Sequence, residues 1–158
     1  NRQRNRQRDG TEDRTDGGQK RPMAHSTPLK ILPYTAMPAD RVTSPGVSEA
    51  TIRVLIGPND GASHFTMRLF ELAPGGCTAK HSHPHEHEIF FLEGSGVAVD
   101  GPLERPVGVG MAVFVPPDRL HQFRNTGSQT LRFLCLIPNE GQPGVSSPPS
   151  GASCPCAG

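Results

Sequence analysis

The sequence predicts an all-β protein in the form of an antiparallel sandwich or barrel. Stretches in which apolar and polar residues alternate recur along the middle of the 158-residue chain, and clusters of Gly and Pro separate them. Alternation with a period of two is typical of strands with one buried face, and Gly/Pro clusters are typical of turns. No stretch shows a convincing helical period, so we expect no helix in the core.

Apolar residues are concentrated in one part of the chain. Residues 1–27 contain almost none, and residues 141–158 consist largely of Gly, Pro and Ser. Such segments cannot bury enough apolar surface to offset the entropy that is lost on ordering. We therefore expect one domain over residues 28–140, between a flexible N-terminal extension and a Gly/Pro/Ser-rich C-terminal tail.

The predicted β segments follow one another along this domain. In the first, residues 50–57, Ile52, Val54 and Ile56 alternate with other residues before the turn sequence GPNDG. The remaining segments are residues 64–76, residues 87–101 with a glycine break, residues 110–117, residues 120–125 and residues 130–138. Several short strands joined by Gly/Pro turns favour an antiparallel architecture.

The charge balance excludes some classes of partner. The net charge is +1, so no global field recruits nucleic acid or an anionic membrane. No apolar run is long enough for a signal sequence or a membrane span. We expect a cytoplasmic protein that acts on a small molecule, with neither nucleic acid nor membrane as a partner.

Residues 81–88, HSHPHEHE, hold four histidines and two glutamates. His81 and His83 are two residues apart, so they point to the same face of an extended strand. His87 stands just before an apolar run, and His121 lies in a later predicted strand. Inward imidazoles on adjacent strands predict a metal site, whereas the alternatives are a histidine-rich surface or core histidines with satisfied hydrogen bonds. Imidazole suits Mn, Fe, Ni, Cu and Zn, so ligand type alone does not select the metal.

Two sequence motifs in this region resemble those of the cupins, a family of small β-barrels. The first cupin motif is G-x5-HxH-x3-4-E-x6-G, and it begins here with Gly75, His81 and His83. A four-residue spacer puts Glu88 in the glutamate position but leaves the last glycine out of register. A three-residue spacer puts His87 there and Gly94 at the final position.

The second cupin motif, G-x5-PxG-x2-H-x3-N, matches Gly110, Pro116, His121 and Asn125 at every spacing. Asp118 replaces only the inner glycine. The resemblance covers residues 28–140 and implies a single antiparallel jelly-roll β-barrel. It also implies a homodimer, in which the segment containing Leu29–Leu32 pairs with the sheet of a second subunit.

The pattern HxHxxxH is similar to that of small single-domain cupins that bind manganese through four histidines. This likeness implies that a divalent metal ion, with Mn first and Fe, Ni, Cu and Zn as alternatives, is bound by His81, His83, His87 and His121. It places His85 and Glu86 at the barrel rim, outside the ligand positions. Four neutral ligands leave the charge of the ion uncompensated, which favours an anionic substrate or an oxygen species.

Four further residues are predicted to line the pocket. Phe123 lies on the same side of its strand as His121, and an outward Arg132 turns Phe133 and Cys135 inward. Cys135 is either a group behind the ligands, an oxidation target or a small apolar residue in a packed barrel. Arg68 either holds a substrate carboxylate or extends to the surface.

The sequence favours a metal-dependent oxygenase or peroxide-using oxidoreductase that acts on a small organic molecule. The alternatives are a non-redox lyase or isomerase with the metal as Lewis acid, and a module that binds a ligand or metal without turnover. Lyase chemistry requires a proton-transfer group. Tyr34, the only tyrosine, lies outside the motif strands, and Glu88 lies on the opposite side from His87.

Overall fold

Nine strands form one curled antiparallel sheet in the computed structural model, which describes residues 28–139. The strands are β1 (Asp40–Arg41), β2 (Ser48–Ile56), β3 (Phe65–Cys77), β4 (His87–Glu93), β5 (Ser95–Asp100), β6 (Leu103–Gly108), β7 (Ala112–Val115), β8 (His121–Arg124) and β9 (Leu131–Pro138). Only two short 3-10 turns, Tyr34–Ala36 and Pro58–Asp60, interrupt this pattern within the described residues. The prediction of an all-β barrel is confirmed. The predicted N-terminal extension and C-terminal tail lie outside the described residues.

The long strand β3 organises the sheet because it pairs with three neighbours. It pairs with β2 and β9 along most of its length and with β8 at its end, where Cys77 lies opposite Arg124. The main order of strands is β6-β5-β8-β3-β9-β4-β7, with β2 attached to β3 and β1 attached to β2. The sheet thereby brings β4, β8 and β9 around one interior, although they are far apart in sequence.

The side chains of β9 point alternately to the inner and the outer face of the sheet. Phe133 and Cys135 are 1% and 3% exposed and point inward. Arg132 points outward, where it forms ion pairs with Glu71 of β3 and Glu93 of β4. This is the arrangement expected from placing Arg132 on the outside.

Four phenylalanines form the centre of the barrel. The ring centroid of Phe133 lies 5.2 Å from that of Phe91, 5.4 Å from that of Phe123 and 5.3 Å from that of Phe70. These separations are within the range of favourable aromatic contacts. Phe91 is completely buried, so much of the apolar stabilisation of the barrel arises at this cluster.

The N-terminal part of the described chain packs on its own barrel. The ring of Tyr34 lies under the guanidinium groups of Arg53 and Arg132, and Nζ of Lys30 donates a hydrogen bond to the carbonyl oxygen of Leu55. Leu29 and Ile31 are 89% and 87% exposed. The pairing of this segment with a second subunit stays a prediction. Within residues 28–139, no helix is long and apolar enough to span a membrane.

Replacement of Phe91 by Ala should lower the free energy of unfolding by about 3–5 kcal/mol, because the lost ring leaves a cavity that the barrel fills only in part. Phe114→Ala is the matched control, because Phe114 is 59% exposed and its truncation leaves no buried cavity. Urea denaturation followed by circular dichroism measures both. Equal losses in the two variants would show that the aromatic cluster does not carry this stability.

Candidate metal centre

Main-chain hydrogen bonds bring the histidines of the two motifs side by side. His81 and His121 form an antiparallel bridge in which N–H of His81 donates to the carbonyl of His121 at 3.1 Å and N–H of His121 donates back at 2.9 Å. Residues paired in this way have their side chains on the same face of the sheet. The loop that carries His83 is held by a 2.7 Å hydrogen bond from N–H of Asp118 to the carbonyl of His83.

Two motif positions have backbone conformations that explain their residue types. Gly94 has φ 76°, and a Cβ atom there would lie 2.3 Å from the carbonyl oxygen of Thr130, so only glycine fits without a shift. Asp118 stands where the motif has glycine and has φ 60°. Asp tolerates the left-handed region better than most residues, because its short side chain bonds locally. The replacement therefore preserves the turn before His121.

Main-chain acceptors fix the tautomers of three imidazoles. Nδ1 of His81, His83 and His121 each lies within hydrogen-bond distance of a carbonyl oxygen. The acceptors are the carbonyls of Ala79 at 2.9 Å, His85 at 2.7 Å and Arg119 at 2.8 Å. A carbonyl oxygen only accepts, so Nδ1 carries the proton and Nε2 carries the free lone pair. This is the ring state needed for binding a metal through Nε2.

The fourth imidazole, His87, has a thiol as its partner. Its Nδ1 lies 3.5 Å from Sγ of Cys135, which also accepts a 3.0 Å hydrogen bond from Nη2 of Arg68. The register of the sheet accounts for these contacts, because β9 places Cys135 opposite Arg68 on β3 and opposite Ile89 on β4. A proton on Nδ1 that is donated to sulfur leaves Nε2 of His87 free, as in the other three rings.

The four imidazoles thus converge on one point, where a proton shared between His83 and His87 or a cation can hold the ring nitrogens together. Nε2 of His83 and Nε2 of His87 are 2.7 Å apart, and one ligand atom from each of the four histidines lies within 4.8 Å of all the others. This is the scale of separation set by metal–nitrogen bonds of about 2 Å. Acceptors brought together in this way are stabilised by a cation. The arrangement fits a divalent metal ion, although the imidazoles do not determine which one.

Burial keeps three of the four imidazoles neutral. It is the main reason that the pKa of His83 and of His121 falls to about 4 and that of His87 to about 2. Positive charge on neighbouring histidines lowers these pKa values further, and Arg68 does so for His87. Imidazoles that stay unprotonated at neutral pH are ready to bind metal.

The histidines open into a cavity of about 450 Å³. All the pocket residues expected from the sequence line it, namely Arg68, Phe123, Phe133 and Cys135, together with the four histidines. Further apolar side chains in the wall are Val42, Val47, Ala50, Phe70, Ile89, Leu120 and Ile137. The charged residues of the wall are Arg68 and Lys80, and it contains neither Asp nor Glu.

The resemblance to the four-histidine cupins places His85 at the barrel rim, whereas in the structure its side chain lines the cavity. It is half-buried in the cavity wall, and its ring stacks on that of His83 with centroids 3.7 Å apart and an interplanar angle of 5°. Burial lowers the pKa of His85, as do the charges of Arg68 and His81. Pro84 interrupts the strand pattern at this point. The alternation of residues in the sequence therefore does not predict which way the side chain of His85 points. Glu88 lies on the exposed face of β4, as its position next to His87 predicts.

Removal of a proposed ligand should remove the metal. His87→Ala should lower metal affinity by more than about 100-fold, the upper range found for residues that only support a ligand, whereas Glu88→Ala should retain wild-type metal content. Elemental analysis of purified protein and competition with a chelator measure both. If Glu88→Ala empties the site while His87→Ala keeps its metal, the ligand set is wrong.

The metal-free protein should lose stability as the pH falls from 6.5 toward 4. Unfolded histidines take up protons near their ordinary pKa of about 6.5, whereas burial lowers the pKa of His83 and His121 to about 4 in the folded state. The unfolded state therefore binds more protons over this range and is favoured by acid. Urea denaturation at a series of pH values tests this. His83→Asn or His121→Asn should flatten the dependence, and a pH-independent wild type would contradict the prediction.

The cupin domain family matches residues 68–137 of the chain. The structure is similar to that of the polyketide cyclase RemF from Streptomyces resistomycificus, with 40% identity and a TM-score of 0.69, over 73% of this chain and 82% of that one. The oxalate-binding protein of Thermotoga maritima is 36% identical over 48% of this chain and 66% of its own length. The 1-methylthio-D-xylulose 5-phosphate methylsulfurylase of Rhodospirillum rubrum is 35% identical over 45% of this chain and 46% of its own.

The chain thus spans about half to two thirds of the length of these curated relatives. The names of the relatives describe different activities, so family and function are separate conclusions. The match to the cupin domain, the strand topology and the likeness to RemF over most of its length agree with both motifs. The chain belongs to the cupin family.

Proposed function

We propose that the protein is a metal-dependent cyclase that closes a ring in a flat polyketide-type substrate. The observation that carries this proposal is the cavity, which joins the four-histidine centre to a wall of aliphatic and phenylalanine side chains. Its volume of about 450 Å³ is in the range of sites for small organic ligands. The likeness to the polyketide cyclase RemF supports the same substrate class.

The proposed reaction is an intramolecular aldol condensation. A methylene carbon of the substrate loses two protons overall, a carbon–carbon bond forms to a carbonyl carbon of the same chain, and the carbonyl oxygen leaves as water. No oxidant is consumed. His81, His83, His87 and His121 would hold a divalent ion, which would supply Lewis-acid polarisation of a carbonyl oxygen.

The side chains of the wall orient the substrate and keep water out. Phe70 and Phe133 are stacked at an interplanar angle of 12°, and both line the cavity beside Phe123. Flat faces of this kind suit a conjugated substrate. An apolar wall also strengthens electrostatic interactions at the reacting carbonyl because it excludes bulk water.

The imidazole of His85 in the wall changes the balance between the hypotheses. The sequence disfavoured lyase-type chemistry because it showed no group for proton transfer near the metal. His85 is such a group by type and place, because its lowered pKa leaves the imidazole free to accept a proton. That objection to non-redox chemistry therefore no longer holds.

Turnover of poly-β-ketone substrates under anaerobic conditions tests the proposal. Short aryl 1,3,5-triketones and thioesters of triketo acids should give cyclised products lighter by one water, detected by mass spectrometry. Chelated protein and His87→Ala should be inactive, because they lack the polarising ion. Phe114→Ala should retain full turnover, because Phe114 lies outside the cavity.

The second candidate is the oxygenase or peroxide-using oxidoreductase favoured by the sequence. The observation in its favour is the charge of the centre, since the four imidazoles include no carboxylate to compensate the ion. Turnover only with dioxygen or peroxide, giving products that carry added oxygen atoms, would replace the cyclase proposal with this one. Tight binding with no turnover under any condition would contradict both and leave a ligand-binding module.

A further inference from the structure

Arg68 differs from every other arginine in the described part of the chain. Residues 28–139 contain seven arginines, and six of them have a carboxylate within 4 Å. The pairs are Arg41 with Glu49, Arg53 with Glu71, Arg105 and Arg119 with Asp100, Arg124 with Glu104, and Arg132 with Glu71 and Glu93. Arg68 has no such partner among the described residues, and it lies in the cavity wall.

The surroundings of Arg68 do not compensate its charge. Nη2 donates to Sγ of Cys135 at 3.0 Å, the guanidinium carbon lies 5.3 Å from the ring centroid of Phe70, and Nε is buried without a hydrogen-bond partner. A thiol is a weak acceptor. A guanidinium stays charged under all ordinary conditions, so a half-buried one without an anion carries a desolvation cost.

The rest of the cavity adds to this positive charge. The other charged residue of the wall is Lys80, and the four imidazoles of the centre are arranged so that they could hold a cation. The register of the sheet fixes the distance between Arg68 and the metal position, because Cys135 contacts both Arg68 and His87. One sulfur atom and one imidazole ring therefore separate the guanidinium from the nitrogen that faces the metal position.

We infer that Arg68 binds an anionic oxygen of the substrate, either a carboxylate or an enolate. A planar guanidinium with free N–H groups matches two oxygens of a carboxylate or the delocalised oxygens of a 1,3-diketone enolate. The identity of the substrate rests on the proposed function, but the anion site itself does not. The substrate class is thereby narrowed to flat, conjugated acids or enolates that reach from Arg68 to the metal position.

Binding of simple anions by the full chain, with and without added divalent metal, tests the inference by isothermal titration calorimetry. The probes are benzoate for the carboxylate and acetylacetone, at a pH where its enolate predominates, for the enolate. Methyl benzoate is the neutral counterpart. Arg68→Met should weaken binding of at least one anion by about 10–100-fold, the effect of losing hydrogen bonds to a charged group, and should leave methyl benzoate unaffected.

Two control variants distinguish loss of the anion site from misfolding and from the removal of an arginine elsewhere. Arg68→Lys keeps the charge without the planar fork and should show an intermediate affinity, which would not follow from misfolding. Arg105→Met removes an arginine that pairs with Asp100 on the surface and should bind like the wild type. Circular dichroism and thermal melting establish that each variant is folded.

The outcomes separate this inference from the proposed function. If neither anion binds the wild type, or if Arg68→Met binds both as well as the wild type does, the anion site is refuted whatever the protein catalyses. If anion binding depends on Arg68 but no substrate is cyclised, the cyclase proposal fails and the anion site stands. Loss of binding for benzoate alone assigns a carboxylate, and loss for acetylacetone alone assigns an enolate.

Discussion

Hydrogen bonds from Nδ1 to main-chain carbonyls hold three of the imidazoles with their lone pairs facing one another. Burial of these ring nitrogens carries a cost, because they lose hydrogen bonds to water. The barrel supplies the compensation through strand pairing and its aromatic core. The four rings are thus held in place by the protein itself, so an ion bound there would not have to order its ligands.

Much of this arrangement follows from local patterns in the sequence. Alternation places Phe133 and Cys135 on the side opposite to Arg132, and the HxH spacing places His81 and His83 on one face. The motif spacings locate His87 and His121 because glycine or Asp at positive φ fixes the turns around them. These features depend on a few neighbouring residues, which is why they can be predicted without a structure.

Other features depend on contacts that local patterns do not encode. β6 was not predicted, because Leu103–Gly108 is mostly exposed and contains Pro106. A proline is tolerated there because the strand lies at the edge of the sheet. The lack of a carboxylate partner for Arg68 among the described residues likewise cannot be predicted from the sequence. It depends on the register that sets β3 against β9 and on the absence of Asp and Glu from a wall assembled from distant segments.

Phe133 contributes both to the cavity wall and to the aromatic interior of the barrel. One of its neighbours, Phe70, shares the cavity wall with it, whereas another, Phe91, lies in the sealed interior and does not line the cavity. A change that widened the pocket at Phe133 would therefore also loosen the packing that holds the barrel together. The shape of the cavity can be altered at a lower cost in stability through wall residues that are only partly buried, such as Val42 and Val47.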